Sequence, residues 1–301
     1  MSVFSLANAW RCVGGLMARR MVYGPGALIG IAALLLACAQ SSPGNQALPA
    51  AVGQPTAHAR DIRVLDNPGF VVGYDLKRRR AAWVAFQLRP VGHSQPMQRP
   101  DFKPDSRLAS KRQRTHYDKR GFDRGHMAPN YAMRQLYGRQ AQRASFYYSN
   151  VVVQRSRLNQ LVWQRLEEIE IDDLAPQLDA LWVVTGPVPA DNGGLPNAFY
   201  RIWLARGSSG QWRTLAFIVP QSVRGDERLS RFRVSIDRIE SATGLEFFPK
   251  LDHKTQQRLE IDRAPASTFG FARHACQPAR YRSKWQGRGG IHLNFDRCDD
   301  R

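Results

Sequence analysis

Acidic residues are scarce in this 301-residue chain: 25 Asp+Glu stand against 44 Lys+Arg, a net charge of +19. So lopsided a balance disfavours basic partners and favours polyanions, because fixed cations attract phosphates and release their counterions. A generally basic surface is the alternative that charge alone leaves open. Internal repeats are absent, which excludes a solenoid or array. Cysteine is rare, with four in all. Cys12 and Cys38 belong to an N-terminal segment, which leaves Cys276 and Cys298. In an oxidising compartment such a pair reads as a disulfide. A zinc site completed by His274 and His292 is one alternative, and free thiols are another.

Long apolar runs are missing except at residues 27–37 (Ala-Leu-Ile-Gly-Ile-Ala-Ala-Leu-Leu-Leu-Ala). That run has the length of a signal-peptide core and is too short to span a bilayer comfortably. Arg19 and Arg20 precede it, and small polar residues follow from Gln40. The order Leu35-Leu36-Ala37-Cys38 resembles a bacterial lipobox, in which Cys38 carries the lipid anchor. Ordinary cleavage and a retained membrane anchor are the other readings. All three export the remainder, to the periplasm or cell envelope or, alternatively, as a secreted protein. Residues 1–38 contain Arg11, Arg19 and Arg20 and no acid, so the basic excess stays with the rest of the chain.

Composition divides the remaining chain into three segments. Residues 39–61, rich in Ala, Pro, Gln, Ser and Gly, read as a flexible linker. A domain is expected over 62–262 and a basic C-terminal extension over 263–301. Strands are expected at 70–74 and 82–88, the second half-buried by its alternation, with the basic turn Lys77-Arg78-Arg79-Arg80 between them. Residues 89–122 read as one long polar loop, and loops of that length are usually functional. A helical patch is expected at 132–144 and a buried strand at 146–153. Leu158, Leu161, Val162, Leu166 and Ile169 predict an apolar helix face over 158–171. Further strands are expected at 181–185, 199–204 and 214–219, and a helix at 231–244.

The residues with chemistry cluster at Asp123-Arg124-Gly125-His126. Hydrolysing a phosphodiester needs an activated water, neutralised phosphate charge and help for the leaving oxygen. An imidazole can be the base near neutral pH. A divalent ion can neutralise the phosphate, and magnesium keeps most of its waters, so one or two protein ligands suffice. Arginine can clamp the phosphate.

Four ordered blocks carry a resemblance: Asp123–His126; Ser149-Asn150 after Phe-Tyr-Tyr; Leu158-Asn159-Gln160 with Trp163 and Arg165-Leu166-Glu167; and Phe232–Asp237 through Thr243–Pro249. Upstream stands Gln98-Arg99-Pro100-Asp101-Phe102. Over about residues 62–250 the chain resembles the DNA/RNA non-specific endonuclease family. The resemblance implies an α+β fold: a central, mostly antiparallel sheet flanked by helices, with a ββα-metal (His-Me finger) element. It implies His126 as general base, Asn159 as ligand of Mg2+ (Mn2+ as substitute), Glu167 as holder of a metal-bound water, Asn150 as the group that orients the His126 ring, and Arg99 on the scissile phosphate. Ideal helical geometry sets Asn159 and Glu167 roughly 80° apart in projection. Arg124 either contacts phosphate or braces its turn. DNA and RNA are the implied partners, and an inhibitor protein is left open. Two positions depart from the pattern: Tyr131 stands where the family often has Ala, and Ile171 where some members have Arg. A non-catalytic exported receptor for nucleic acid is the rival reading.

Overall fold

Alternating apolar residues and tight turns build most of this molecule. In the computed structural model, residues 47–91, 97–108, 121–190, 192–261, 263–287 and 292–295 are described. The described residues form nine strands: β1 (Ile62–Asn67), β2 (Phe70–Asp75), β3 (Arg80–Leu88), β4 (Phe122–His126), β5 (Val151–Arg155), β6 (Leu181–Val188), β7 (Ala198–Arg206), β8 (Trp212–Pro220) and β9 (Arg233–Val234). Seven of them make one antiparallel sheet in the order β1-β2-β3-β6-β7-β8-β9, and β4 and β5 pair separately. The β1–β2 turn needs glycine twice over: Gly69 has φ 83°, and a Cβ there would lie 2.5 Å from the Tyr137 ring.

The large sheet is covered on both faces. Phe70, Val72, Val84 and Phe86 point into one apolar cluster with Leu158, Val162, Leu166 and Ile169. Val71, Trp83 and Ala85 point into a second with Ile236, Ile239 and Phe247. The 82–88 strand is therefore buried throughout rather than half-buried, because a second layer covers the face that alternation assigned to solvent.

Three layers result. On the first face lies the helical stretch 158–174, in which α2 (Gln164–Glu168) is flanked by π-helical turns at Leu158–Trp163 and Ile169–Leu174. All five expected apolar residues of this stretch are buried; emptying one such site to alanine costs about 2–5 kcal/mol. A second helix, α1 (Asn130–Ser145), is interrupted at Gly138, where φ is 76°. On the other face lies α3 (Ile236–Thr243), capped by Ser235 and ended by Gly244 at φ 66°, and α4 (His253–Glu260) follows it.

Three boundaries differ from expectation. Residues 47–61 are not a tether: Ala47 and Val52 are buried in the second cluster, and Thr56 bridges to Glu246. Two small apolar side chains and a backbone pair hold a segment whose composition reads as linker. The expected strand at 146–153 begins only at Val151, after a 3-10 turn at Tyr148–Asn150. The expected helix at 231–244 starts at Ile236, because Arg233–Val234 pairs with β8 instead. The C-terminal extension also joins the fold, with Phe271 and Ala275 in the first cluster. Cys276 is disulfide-bonded; its expected partner Cys298 lies outside the described residues, as do residues 1–38 with Cys38. Among the described residues no helix is long and apolar enough to cross a membrane.

Candidate active site

The motif strand β4 sits antiparallel to β5, with Asp123 opposite Gln154 and His126 opposite Val151. Side chains alternate along a strand, so Asp123 and Gly125 share one face while Arg124 and His126 share the other. Gly125 is required by packing rather than by flexibility: a Cβ there would lie 2.0 Å from Gln154 Oε1. The β4–β5 pair followed by the 158–174 stretch makes the ββα element.

Asp123 joins strand to helix. Its Oδ1 accepts from Ser156 Oγ at 2.8 Å, and its Oδ2 accepts from Asn159 Nδ2 at 2.9 Å and Gln160 Nε2 at 2.8 Å. With the Asn159 amide nitrogen spent on Asp123, the amide oxygen is left for the cleft that Asn159 lines. The sequence motif contained Asp123, but its role depends on a partner 36 residues away.

His126 is held by aromatic rings. Its imidazole centroid lies 5.2 Å from Phe102 and 4.7 Å from Phe146, edge-on to the latter. The Arg99 guanidinium lies 5.3 Å from the Phe146 centroid, and that of Arg124 lies 5.1 Å from Phe102. Two phenylalanines thus gather one imidazole and two cations. Burial and then the Arg99 charge push the His126 pKa down to about 3. The ring is therefore neutral at physiological pH, and its Nε2 has no hydrogen-bond partner among the described residues. A neutral folded-state imidazole favours folding above the free histidine pKa of about 6.5, and that stability is lost as pH falls towards the folded value.

Asn150 does not orient the imidazole. Its Oδ1 accepts from the Ala128 N–H at 2.9 Å, and its Nδ2 donates to the carbonyls of Ala128 at 3.1 Å and Ser145 at 2.9 Å. The short Asn side chain is consumed by backbone, so it fixes the turn after His126 and positions that residue through the main chain.

Arg99, His126, Asn159 and Glu167 line one cleft of about 270 Å³, together with Tyr131 and Ile171. Arg124 and Asp123 line the adjoining hollow of about 600 Å³, which shares Arg99 and Asn159. The π-helical turns change the ideal spacing of Asn159 and Glu167, yet both reach the cleft; π turns recur at functional sites. Burial, opposed by Arg201 and reinforced by Glu170 and Glu168, pushes Glu167 up to about 8.

The C-terminal extension supplies cleft walls that the motifs did not indicate. Arg280 and Tyr281 line the first cleft, and Tyr281 and Lys284 the second. Arg280 pairs with Asp172 and Glu168, and Trp285 Nε1 donates to Gln160 Oε1 at 3.2 Å. Buried Arg165 staples the segment, donating to the Ala275 carbonyl at 2.9 Å. The basic composition of 263–301 was the only sequence signal.

Clustered histidine, arginine and asparagine on a ββα element define a hydrolase of phosphodiester bonds. The DNA/RNA non-specific endonuclease family matches residues 49–254. Endonuclease G, mitochondrial, from Caenorhabditis elegans is 31% identical over 62% of this chain and 68% of its own length. Nuclease EXOG, mitochondrial, from Homo sapiens is 30% identical over 77% of this chain and 73% of its own. A solved EndoG/EndoGI complex superposes with TM-score 0.56 at 24% identity, covering 64% of this chain and 88% of that one. The chain belongs to the DNA/RNA non-specific endonuclease family and is a nuclease.

Proposed function

We propose that this nuclease is a magnesium-dependent endonuclease that cuts DNA and RNA with little regard for sequence, using His126 as base and Asn159 as metal ligand. The observation that carries this reading is the meeting of Arg99, His126, Asn159 and Glu167 in one cleft. The donor set fits a hard cation: Asn159 offers an amide oxygen because Asp123 holds its nitrogen, and Glu167 offers a carboxyl beside it. Magnesium, when bound there, neutralises phosphate charge and supplies a water proton for the leaving oxygen.

The protein's own groups do the rest. Neutral His126 removes a proton from the attacking water, and attack in line on phosphorus expels the 3′ oxygen, leaving a 5′-phosphate end. Arg99, beside His126, holds the phosphate, and Arg124 extends the cationic surface into the adjoining hollow. Asp123 fixes the Asn159 amide. Contacts to phosphate and sugar carry little sequence information. Export through residues 1–38, with Cys38 as lipid anchor, is part of this proposal and rests on sequence alone. The named relatives are mitochondrial, and the mass of the mature N-terminus tests it.

A magnesium titration of plasmid nicking tests the site. The wild type should cut, and Asp123→Ala should need about 10–100-fold more magnesium, the usual cost of losing a group that orients a ligand. Identical magnesium dependence in the two proteins would remove Asn159 from the metal site.

A further inference from the structure

Away from the nuclease cleft, α3 and α4 bring three carboxylates together. Asp237 and Glu240 stand three residues apart on α3, a spacing that puts them on one face. Glu260 closes α4, next to Leu259, whose carbonyl accepts from Thr214 Oγ1 on β8 at 3.3 Å. One oxygen from each carboxylate lies within 4.8 Å of the other two. Apolar residues of α3 belong to the second core cluster, whereas those of the 158–174 stretch belong to the first. The group is therefore separated from Asn159 by the sheet.

Acids often cluster on surfaces without consequence. Here a second observation sets the group apart. Glu260 is only 6% exposed; Gln256 lies within hydrogen-bonding reach of its carboxyl, yet its Oε1 meets no hydrogen-bond partner among the described residues. An unpaired buried carboxylate oxygen is costly, because it has given up water and gained nothing. No salt bridge among the described residues neutralises any of the three. Burial first, and then the Glu240 charge, push Glu260 up to about 8. Burial likewise pushes Glu240 up to about 7, against the Phe247 N–H that its Oε1 accepts. Three carboxyls this close do not all ionise without a positive charge among them, which is either a retained proton or a cation that displaces it.

We infer that Asp237, Glu240 and Glu260 form a second divalent-cation site, selective for calcium, that ties α3 to α4. The donors are all oxygen, which selects a hard cation. Oxygens spread over as much as 4.8 Å suit calcium, whose oxygen ligands lie at about 2.3–2.6 Å, better than magnesium at about 2.0–2.1 Å. Half-exposed Asp237 and Glu240 leave room for waters to complete the shell. The bound ion stabilises the layer opposite the cleft and takes no part in cleavage.

Calorimetric titration of the metal-stripped protein with calcium chloride tests this, alongside its melting temperature. Calcium should raise the wild-type melting temperature by a few degrees, as a ligand of the folded state alone does. Glu260→Gln and, independently, half-exposed Asp237→Asn should each bind one calcium fewer and lose that rise. Asn159→Ala should keep both, which separates this site from the cleft. Equal calcium stoichiometry in the wild type and both carboxylate variants would overturn the inference. So would loss of the effect in Asn159→Ala alone.

Discussion

Replacing His126 by alanine is expected to lower turnover on plasmid DNA and on structured RNA alike by roughly 10³-fold, within the range that general-base catalysis supplies. The ring is half-buried against Phe102 and Phe146, with its Nε2 shielded from solvent, and is held neutral, so its proton-accepting nitrogen is available without prior deprotonation. Removing it leaves Arg99 and Asn159 in the cleft, and nucleic-acid binding should persist. The loss should appear in kcat, with KM changed only a few-fold. Thermal melting of the variant checks that the aromatic bracket still packs. A folded variant that cuts both substrates at the wild-type rate would remove His126 from the chemistry.

Glu170→Ala is expected to be the most damaging single change to stability. Glu170 is fully buried, and its carboxylate accepts from Arg201 and from Trp203 Nε1. Arg201 is fully buried as well. Truncating Glu170 strands that guanidinium, a loss of about 3–5 kcal/mol for a broken buried pair, or a fall of roughly 10 °C in melting temperature for a fold of this size. Activity should fall too, below the loss of folded protein. Arg201 Nη1 already lies 3.8 Å from Glu167 Oε1, and without Glu170 it would draw Glu167 out of the cleft. Glu170→Gln, which keeps hydrogen-bonding atoms in place, should recover part of the stability. A melting temperature within a degree or two of wild type would show that the pair is not dry.

Much of this architecture is legible in the sequence where the signal is local. The 158–171 apolar face, the positions of the apolar strands and the basic β2–β3 turn each depend on residues a few positions apart, whereas the second layer that buries both faces of β3 does not. The motif blocks likewise place His126, Asn159 and Glu167, and the upstream Gln98–Phe102 segment places Arg99; the fold brings all four into one cleft. Less legible features depend on partners distant in sequence. Asp123 looks like one motif letter until its carboxylate meets Asn159 and Gln160. Asn150 looks like a partner for the imidazole until Ala128 and Ser145 consume its amide. Val52 reads as linker because nothing nearby reveals the second core cluster that buries it. Arg280, Tyr281 and Lys284 reach the cleft and its adjoining hollow because Arg165, Trp285 and Arg280 itself pin a distant segment there.

The most direct test of the central claim is cleavage of supercoiled plasmid and of a structured RNA by the wild-type protein, in magnesium and in excess chelator, across a salt series. Both substrates should be cut in magnesium and neither in chelator, with activity falling steeply as salt rises because phosphate contacts dominate binding. Intact plasmid and RNA in magnesium, with both still bound in a salt-sensitive way, would contradict this mechanism and identify the chain as a nucleic-acid receptor.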